Sequence, residues 1–239
     1  MDLNFHIMIY TSTLHKNACK LLYKTNESEV QQMELDNNIL IGVSEGVANL
    51  QLPDPTLRNY YRDEEDRVFW LSDAVENCAE DLIYMILRCN KEDKEKQVDE
   101  RQPIKIFIDS PGGDVTFMWS IINLIDISKT PVWTINYCTA YSAAAEILAS
   151  GHKRFAFPGS HVMVHNGSVS FGGQVDQVES MKKYFDSVCK KSTEHLLAKT
   201  KIDPKKLKKR GVVDWFMSES EALENGIVDK IVEDISEVF

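Results

Sequence analysis

Residues 67–235 predict an α/β fold of repeated strand–helix units. Three observations carry that reading. The short apolar runs RVFWL, IKIFID, PVWTIN, RFAFP and HVMVH have the length and the β-branched or aromatic content of strands. The segments between them place apolar residues at helical spacing instead. An alternation of this kind folds through right-handed crossovers onto one sheet.

Taken in order, RVFWL is the first strand, and Ser72 or Asp73 can cap the helix behind it. In that helix Val75, Leu82, Ile83, Ile86 and Leu87 recur on one side. The charge run NKEDKEKQVDERQP, residues 90–103, reads as a solvated loop or a frayed helix end. IKIFID is a buried strand closed by a Gly112-Gly113 turn, and the next helix groups Phe117, Ile121, Ile122 and Ile125. PVWTIN leads into a helix headed by Ser142, and RFAFP and HVMVH follow as two short strands. A long helix spans 173–200, with Val175, Val178, Met181, Phe185 and Val188 as its apolar stripe. DPKKLKKR and SESEALENG are shorter elements ahead of a last strand near IVDKIV. Residues 1–60 read differently: an N-terminal extension with a few strands, closing in the loop-like LPDPTLRNYYRDEED, to which no role attaches. Residues 61–239 make up the body.

The bulk properties exclude several classes. A net charge of -10 argues against a general nucleic-acid binder, which needs a basic face. Cys19, Cys78, Cys89, Cys138 and Cys189 are odd in number, scattered and without a CxxC pair. Neither a disulfide framework nor a structural zinc site fits them, and a reducing, cytoplasmic compartment does. The first twenty residues lack the basic start and apolar run of a signal peptide, and no apolar stretch is long enough to span a membrane.

Three features can carry chemistry, and each has an ordinary structural reading beside the functional one. Ser142, set among alanines at a helix start, is either a helix cap or a nucleophile. The turn DSPGGD, 109–114, is either a tight strand-to-helix connection or a source of exposed N–H groups. His165 ends an apolar strand, where an imidazole titrating near neutrality can act as a general base. His152 and His161 lie in more loop-like contexts. Asp214, between two valines and Trp-Phe, reads as partly buried, and is a local turn-former or the group that orients the histidine. Together they amount to acyl-transfer machinery, with the Gly113 and Ala143 N–H groups as oxyanion donors.

The segments IFIDSPGGDV, TAYSAAAEILASG, KRFAFPGSHVMVH, GGQVDQVE and VVDWFMSESEALENGIVDKI occur in the order and spacing of a known family. From about Arg67 to Ile235 the chain resembles ClpP, the proteolytic subunit of the Clp protease, a serine peptidase of the ClpP/crotonase-like fold. The resemblance implies Ser142 as nucleophile, His165 as base, Asp214 as orienting acid, and Gly113 and Ala143 as oxyanion donors. It implies a protruding handle helix within about 166–200, through which two heptameric rings pair around a chamber. Its substrates would be unfolded proteins or peptides, delivered by an AAA+ unfoldase that uses the ATP. No metal or organic cofactor is implied for this chain, nor nucleic acid or membrane. Some residues depart from the family's pattern. Its Gly-x-Ala-Ala-Ser-Met-Gly is here Cys138-Thr139-Ala140-Tyr141-Ser142-Ala143-Ala144, which changes the entry to the helix or the pocket wall. Its Gln-Pro after the histidine is Asn166-Gly167, and Val169-Ser170 replaces its glycine pair. Two alternatives fit the same residues: a phage head-maturation protease, and a non-catalytic ring subunit paired with an active paralogue.

Overall fold

The computed structural model describes residues 30–35, 39–44, 58–210 and 213–239. The chain divides into two units, Met1–Arg58 and Asn59–Phe239. In the first, β1 (Val30–Leu35) and β2 (Ile39–Ser44) pair antiparallel, with Leu35 opposite Ile39. Residues 1–29, 36–38 and 45–57 of the N-terminal extension, Cys19 included, lie outside the described residues.

Around the boundary the loop reading of 52–66 is corrected, because Arg58–Glu65 form a helix, α1. Pro53 and Pro55 stop short of it, and RNYYRDEE holds no Gly or Pro to break it. Strand β3 (Val68–Leu71), helix α2 (Val75–Glu92), strand β4 (Ile104–Ser110) and helix α3 (Val115–Ile127) follow. Then come β5 (Val132–Tyr141), α4 (Ala143–Ser150), β6 (Lys153–Ala156) and β7 (His161–Val164). The long helix α5 (Val175–Lys199), α6 (Pro204–Arg210), β8 (Trp215–Ser218), α7 (Glu219–Glu224) and β9 (Lys230–Ile231) complete the chain.

The sheet is mostly parallel, ordered β3-β4-β5-β6-β9, as crossovers through helices require. β5 is longer than its neighbours, and its two halves have different partners. Trp133–Asn136 pair with β6, whereas Thr139–Tyr141 pair with β7, to which β8 adds antiparallel. Between Ile108 and Ser110 the β4–β5 register jumps, so that Ser110 faces Ala140. The Asp109 carboxylate satisfies the displaced backbone there, accepting from Thr139 N–H at 3.1 Å and from its hydroxyl at 2.6 Å.

Helix packing corrects several side-chain expectations. On α2 the buried face is Val75, Ala79, Leu82, Ile86 and Cys89, while Leu87 is half exposed. One residue past Ile86 is 100° further round the helix and off the stripe. Phe117 is exposed for the same reason, standing one place before the buried set Met118, Ile121, Ile122 and Ile125. Neither Ser72 nor Asp73 caps α2. The cap position is Ala74, Asp73 Oδ1 accepts from Ala74 N–H at 2.7 Å, and Val75 N–H donates to Gly112 O at 2.9 Å. The start of α2 is thereby tied to the glycine turn.

The charge run is not wholly solvated. α2 continues to Glu92, and Asp93 is fully buried. Arg67 holds it through two bonds, Nη1 to Oδ2 at 2.5 Å and Nη2 to Oδ1 at 3.0 Å. Thr130 Oγ1 and Lys96 Nζ donate as well, at 3.1 and 2.9 Å. A buried carboxylate is tolerable when its lone pairs are met in this way.

The expected stripe on α5 faces inward only in part, through Phe185 and Val188, which line the cavity beside Ser142. Val175 and Met181 are exposed, Val178, Phe185 and Val188 are half-buried, and Leu196 alone is buried on this helix. The first turns of the helix are exposed, and it lies against the site from about Phe185 onward.

Candidate functional site

The C-terminal ends of β4, β5 and β7 converge, the usual place for a site in an open α/β sheet. Two ladders determine what meets there. In the parallel β5–β7 pair Tyr141 faces Met163, and Ser142 N–H continues the ladder by donating to Met163 O at 2.8 Å. In the antiparallel β7–β8 pair Val164 faces Trp215, so one further step sets His165 across from Asp214. Residues 23 and 49 apart in the chain are thus brought together by strand register.

Ser142 occupies the turn from β5 into α4 with φ 54° and ψ −121°. Such a backbone costs a residue with a Cβ roughly 1–3 kcal/mol. The burial of Ala143, Ala144, Ala145, Ile147, Leu148 and Ala149 on α4 holds it in place. Although Ser142 stands at the cap position, its side chain makes no cap bond. Its Oγ lies 2.8 Å from His165 Nε2 instead, and His165 Nδ1 lies 3.3 Å from Asp214 Oδ1. The helix-cap reading of Ser142 is therefore set aside.

Asp214 corrects the expectation of partial burial, since its side chain is 56% exposed. Trp215 and Met217 take the inward positions of β8, and the alternation along a strand turns Asp214 and Phe216 outward. His165, across from Asp214, shares that face and is largely covered. Tyr141, which replaces a small residue in the family's pattern, packs its ring edge-on against Phe216 at 5.5 Å. His152 is structural: burial lowers its pKa, and its Nδ1 accepts from Val132 N–H at 2.9 Å. His161 stays exposed at the far end of β7.

The glycine turn lies directly against the serine. At Gly112, with φ 98°, an added Cβ would sit 2.8 Å from Ser142 Cβ and 2.6 Å from Tyr141 O. At Gly113, with φ 153°, it would meet Glu76 Oε2 at 2.0 Å. Only glycine fits either place. The turn is clamped from both sides. Ser110 Oγ donates to Asp73 O at 2.6 Å and accepts from Gly112 N–H at 3.2 Å, and Glu76 Oε2 accepts from Asp114 N–H at 2.8 Å. Asp114 then caps α3, accepting from Thr116 and Phe117 N–H. Among the described residues, neither Gly113 N–H nor Ala143 N–H donates a hydrogen bond.

A cavity of about 60 Å³ adjoins Ser142 and His165, walled by Val115, Met118, Glu146 and Leu196 among others. Glu76 and Glu146 also belong to the site, though neither is among the residues that the motifs single out. Glu76 joins the turn from 37 residues away, with no spacing signal. Glu146 was readable, because a residue four places after Ser142 shares its helix face. Among the described residues no group of three or more His, Cys, Asp or Glu side chains could hold a metal ion, and Cys78, Cys89, Cys138 and Cys189 are free.

Residues 59–235 match the Clp protease family, and the chain belongs to it. It is 32% identical over 139 residues to the ATP-dependent Clp protease proteolytic subunit 2 of Treponema denticola, covering 57% of this chain and 70% of that protein. It is 32% identical over 178 residues to the ATP-dependent Clp protease proteolytic subunit 1 of Bifidobacterium longum, covering 73% and 74%. At that identity the chain is a divergent member of the family. Among the described residues no helix is long and apolar enough to cross a membrane.

Proposed function

We propose that this protein is a serine endopeptidase of the Clp type, cleaving unfolded proteins or peptides through an acyl-enzyme on Ser142. The observation that carries the reading is the strained Ser142 with its Oγ 2.8 Å from His165 Nε2. His165 takes the hydroxyl proton as Oγ attacks the scissile carbonyl, then gives it to the leaving amine. Asp214 keeps the Nδ1–H tautomer and stabilises the imidazolium. The undirected N–H groups of Gly113 and Ala143 receive the oxyanion, each worth roughly a hundredfold in rate. Water then attacks the acyl-enzyme, with His165 again as base.

The exposure of the first turns of α5, Val175 and Met181 included, supports assembly of subunits through this helix into paired heptameric rings. The relatives' names support delivery of substrate by a partner unfoldase that consumes the ATP. Free thiols support action in a reducing, cytoplasmic compartment. Hydrolysis of a short fluorogenic peptide by the purified protein, with a loss of about 10³-fold or more in Ser142→Ala, is the expected result. Equal activity in that variant would overturn the reading.

A further inference from the structure

The cavity beside Ser142 and His165 contains a group that the acyl-transfer reading leaves unused. Glu146 stands in the first turn of α4 and lines this cavity, whose wall is largely apolar (Val115, Met118, Val188 and Leu196) with Asn166 and Thr193 beside it. Its Oε1 accepts from the Ser192 hydroxyl on α5. Its Oε2 is wholly buried and has no hydrogen-bond partner among the described residues. No Lys, Arg or His pairs with the carboxyl either, and burial pushes its pKa up. A largely apolar pocket lined by a carboxyl group whose second oxygen lacks a donor is incomplete as it stands.

The acyl carbon in the proposed reaction is bonded to Ser142 Oγ, so the side chain on the acyl residue must lie in the space adjoining Ser142. We infer that this cavity is the specificity pocket for the residue on the acyl side of the cut bond, and that Glu146 selects lysine there. The inference rests on the peptidase reading above. Lysine supplies both things the pocket lacks: a methylene stem for the apolar wall and an ammonium donor for Oε2. Size argues in the same direction. A cavity of about 60 Å³ holds about four water-sized groups, the number of heavy atoms lysine carries beyond Cβ. Arginine and the aromatic side chains carry more. When the ammonium enters, Glu146 is held as carboxylate and the Ser192 hydroxyl keeps its bond to the other oxygen.

The test compares fluorogenic peptides identical except at that residue: lysine, norleucine, leucine and glutamate. Norleucine matches the lysine stem but lacks its charge. The wild-type protein is expected to favour lysine over norleucine in kcat/KM by about tenfold or more. Glu146→Gln should bring that ratio close to one, and Glu146→Leu should reverse it. A wild-type preference for norleucine or leucine overturns the inference without any variant, as does an unchanged ratio in both variants. A fluorophosphonate probe separates the two failures. A wild-type protein that acylates at Ser142 and cleaves only the leucine peptide sinks the lysine pocket alone. One that neither acylates nor cleaves any peptide sinks the peptidase reading, and the pocket with it.

Discussion

Removing the Asp93 carboxylate should cost far more stability than its position in a charge run suggests. The carboxylate is fully buried and takes four donors: two from Arg67, one from Thr130 and one from Lys96. Asp93→Ala deletes the acceptor and leaves the covered Arg67 guanidinium with only the half-exposed Glu92 carboxylate at 3.3 Å and the Gln102 carbonyl at 2.9 Å, for which about 3 kcal/mol, the lower end for a broken buried pair, is the expected loss. Asp93→Asn keeps shape and some hydrogen bonds, and should cost about 1.5–3 kcal/mol. The control is Glu64→Ala, which removes one of the two carboxylates paired with Arg88 where the Arg88 and Glu64 side chains are more than a third exposed, and should cost at most about 1 kcal/mol. Urea unfolding at one fixed protein concentration measures all three. The pH dependence has a definite sign. The hydrogen bonds from Arg67, foremost, hold the Asp93 pKa far below the usual carboxylate range, against the opposing effect of burial. Its contribution is therefore present above about pH 4, the unfolded value, and is lost as pH falls through the lower folded value. The gap between wild type and Asp93→Ala should narrow in acid below about pH 4. A gap under about 1 kcal/mol at neutral pH, or one that widens on acidification, would refute the reasoning.

Two further predictions concern the site. Asp214→Asn should lower kcat by up to about 10⁴-fold with KM little changed, as expected of a residue that acts through His165; steady-state kinetics on a peptide substrate would expose a null effect. Gly113→Ala forces a Cβ onto Glu76 Oε2 at a φ of 153°, so the turn must shift and its N–H with it. A loss of at least about 10²-fold in kcat is expected, and an unimpaired variant would remove Gly113 N–H from the oxyanion role.

What could be read from residues alone follows the range of the physics involved. Local patterns served well for IKIFID and for the helix after the glycine turn, where burial repeats within a few residues. The meeting of Ser142, His165 and Asp214 was readable only through the order of several motifs, since the joining force is strand register. Long-range pairing was invisible. Nothing near Asp93 announces that Arg67 arrives from the turn before β3, so a run of charges reads as solvated. Leu87 and Phe117 show the limit of stripes, where one residue of phase separates core from surface. Asp214 reads as partly buried because apolar neighbours suggest a covered place, yet along β8 only Trp215 beside it turns inward, while Val213, Phe216 and the acid face outward. The α5 stripe failed differently: its apolar spacing is real, but nothing in the described chain covers its first turns.

The proposed chemistry depends above all on whether the His165 imidazole activates the Ser142 hydroxyl. The rate of acylation by a fluorophosphonate, followed by intact mass and mapped to a peptide, measures that directly in the wild-type protein and in His165→Ala. One adduct on Ser142, slowed about 10³-fold or more without the imidazole, is the predicted outcome. An adduct elsewhere, none at all, or the same rate in both proteins would contradict it.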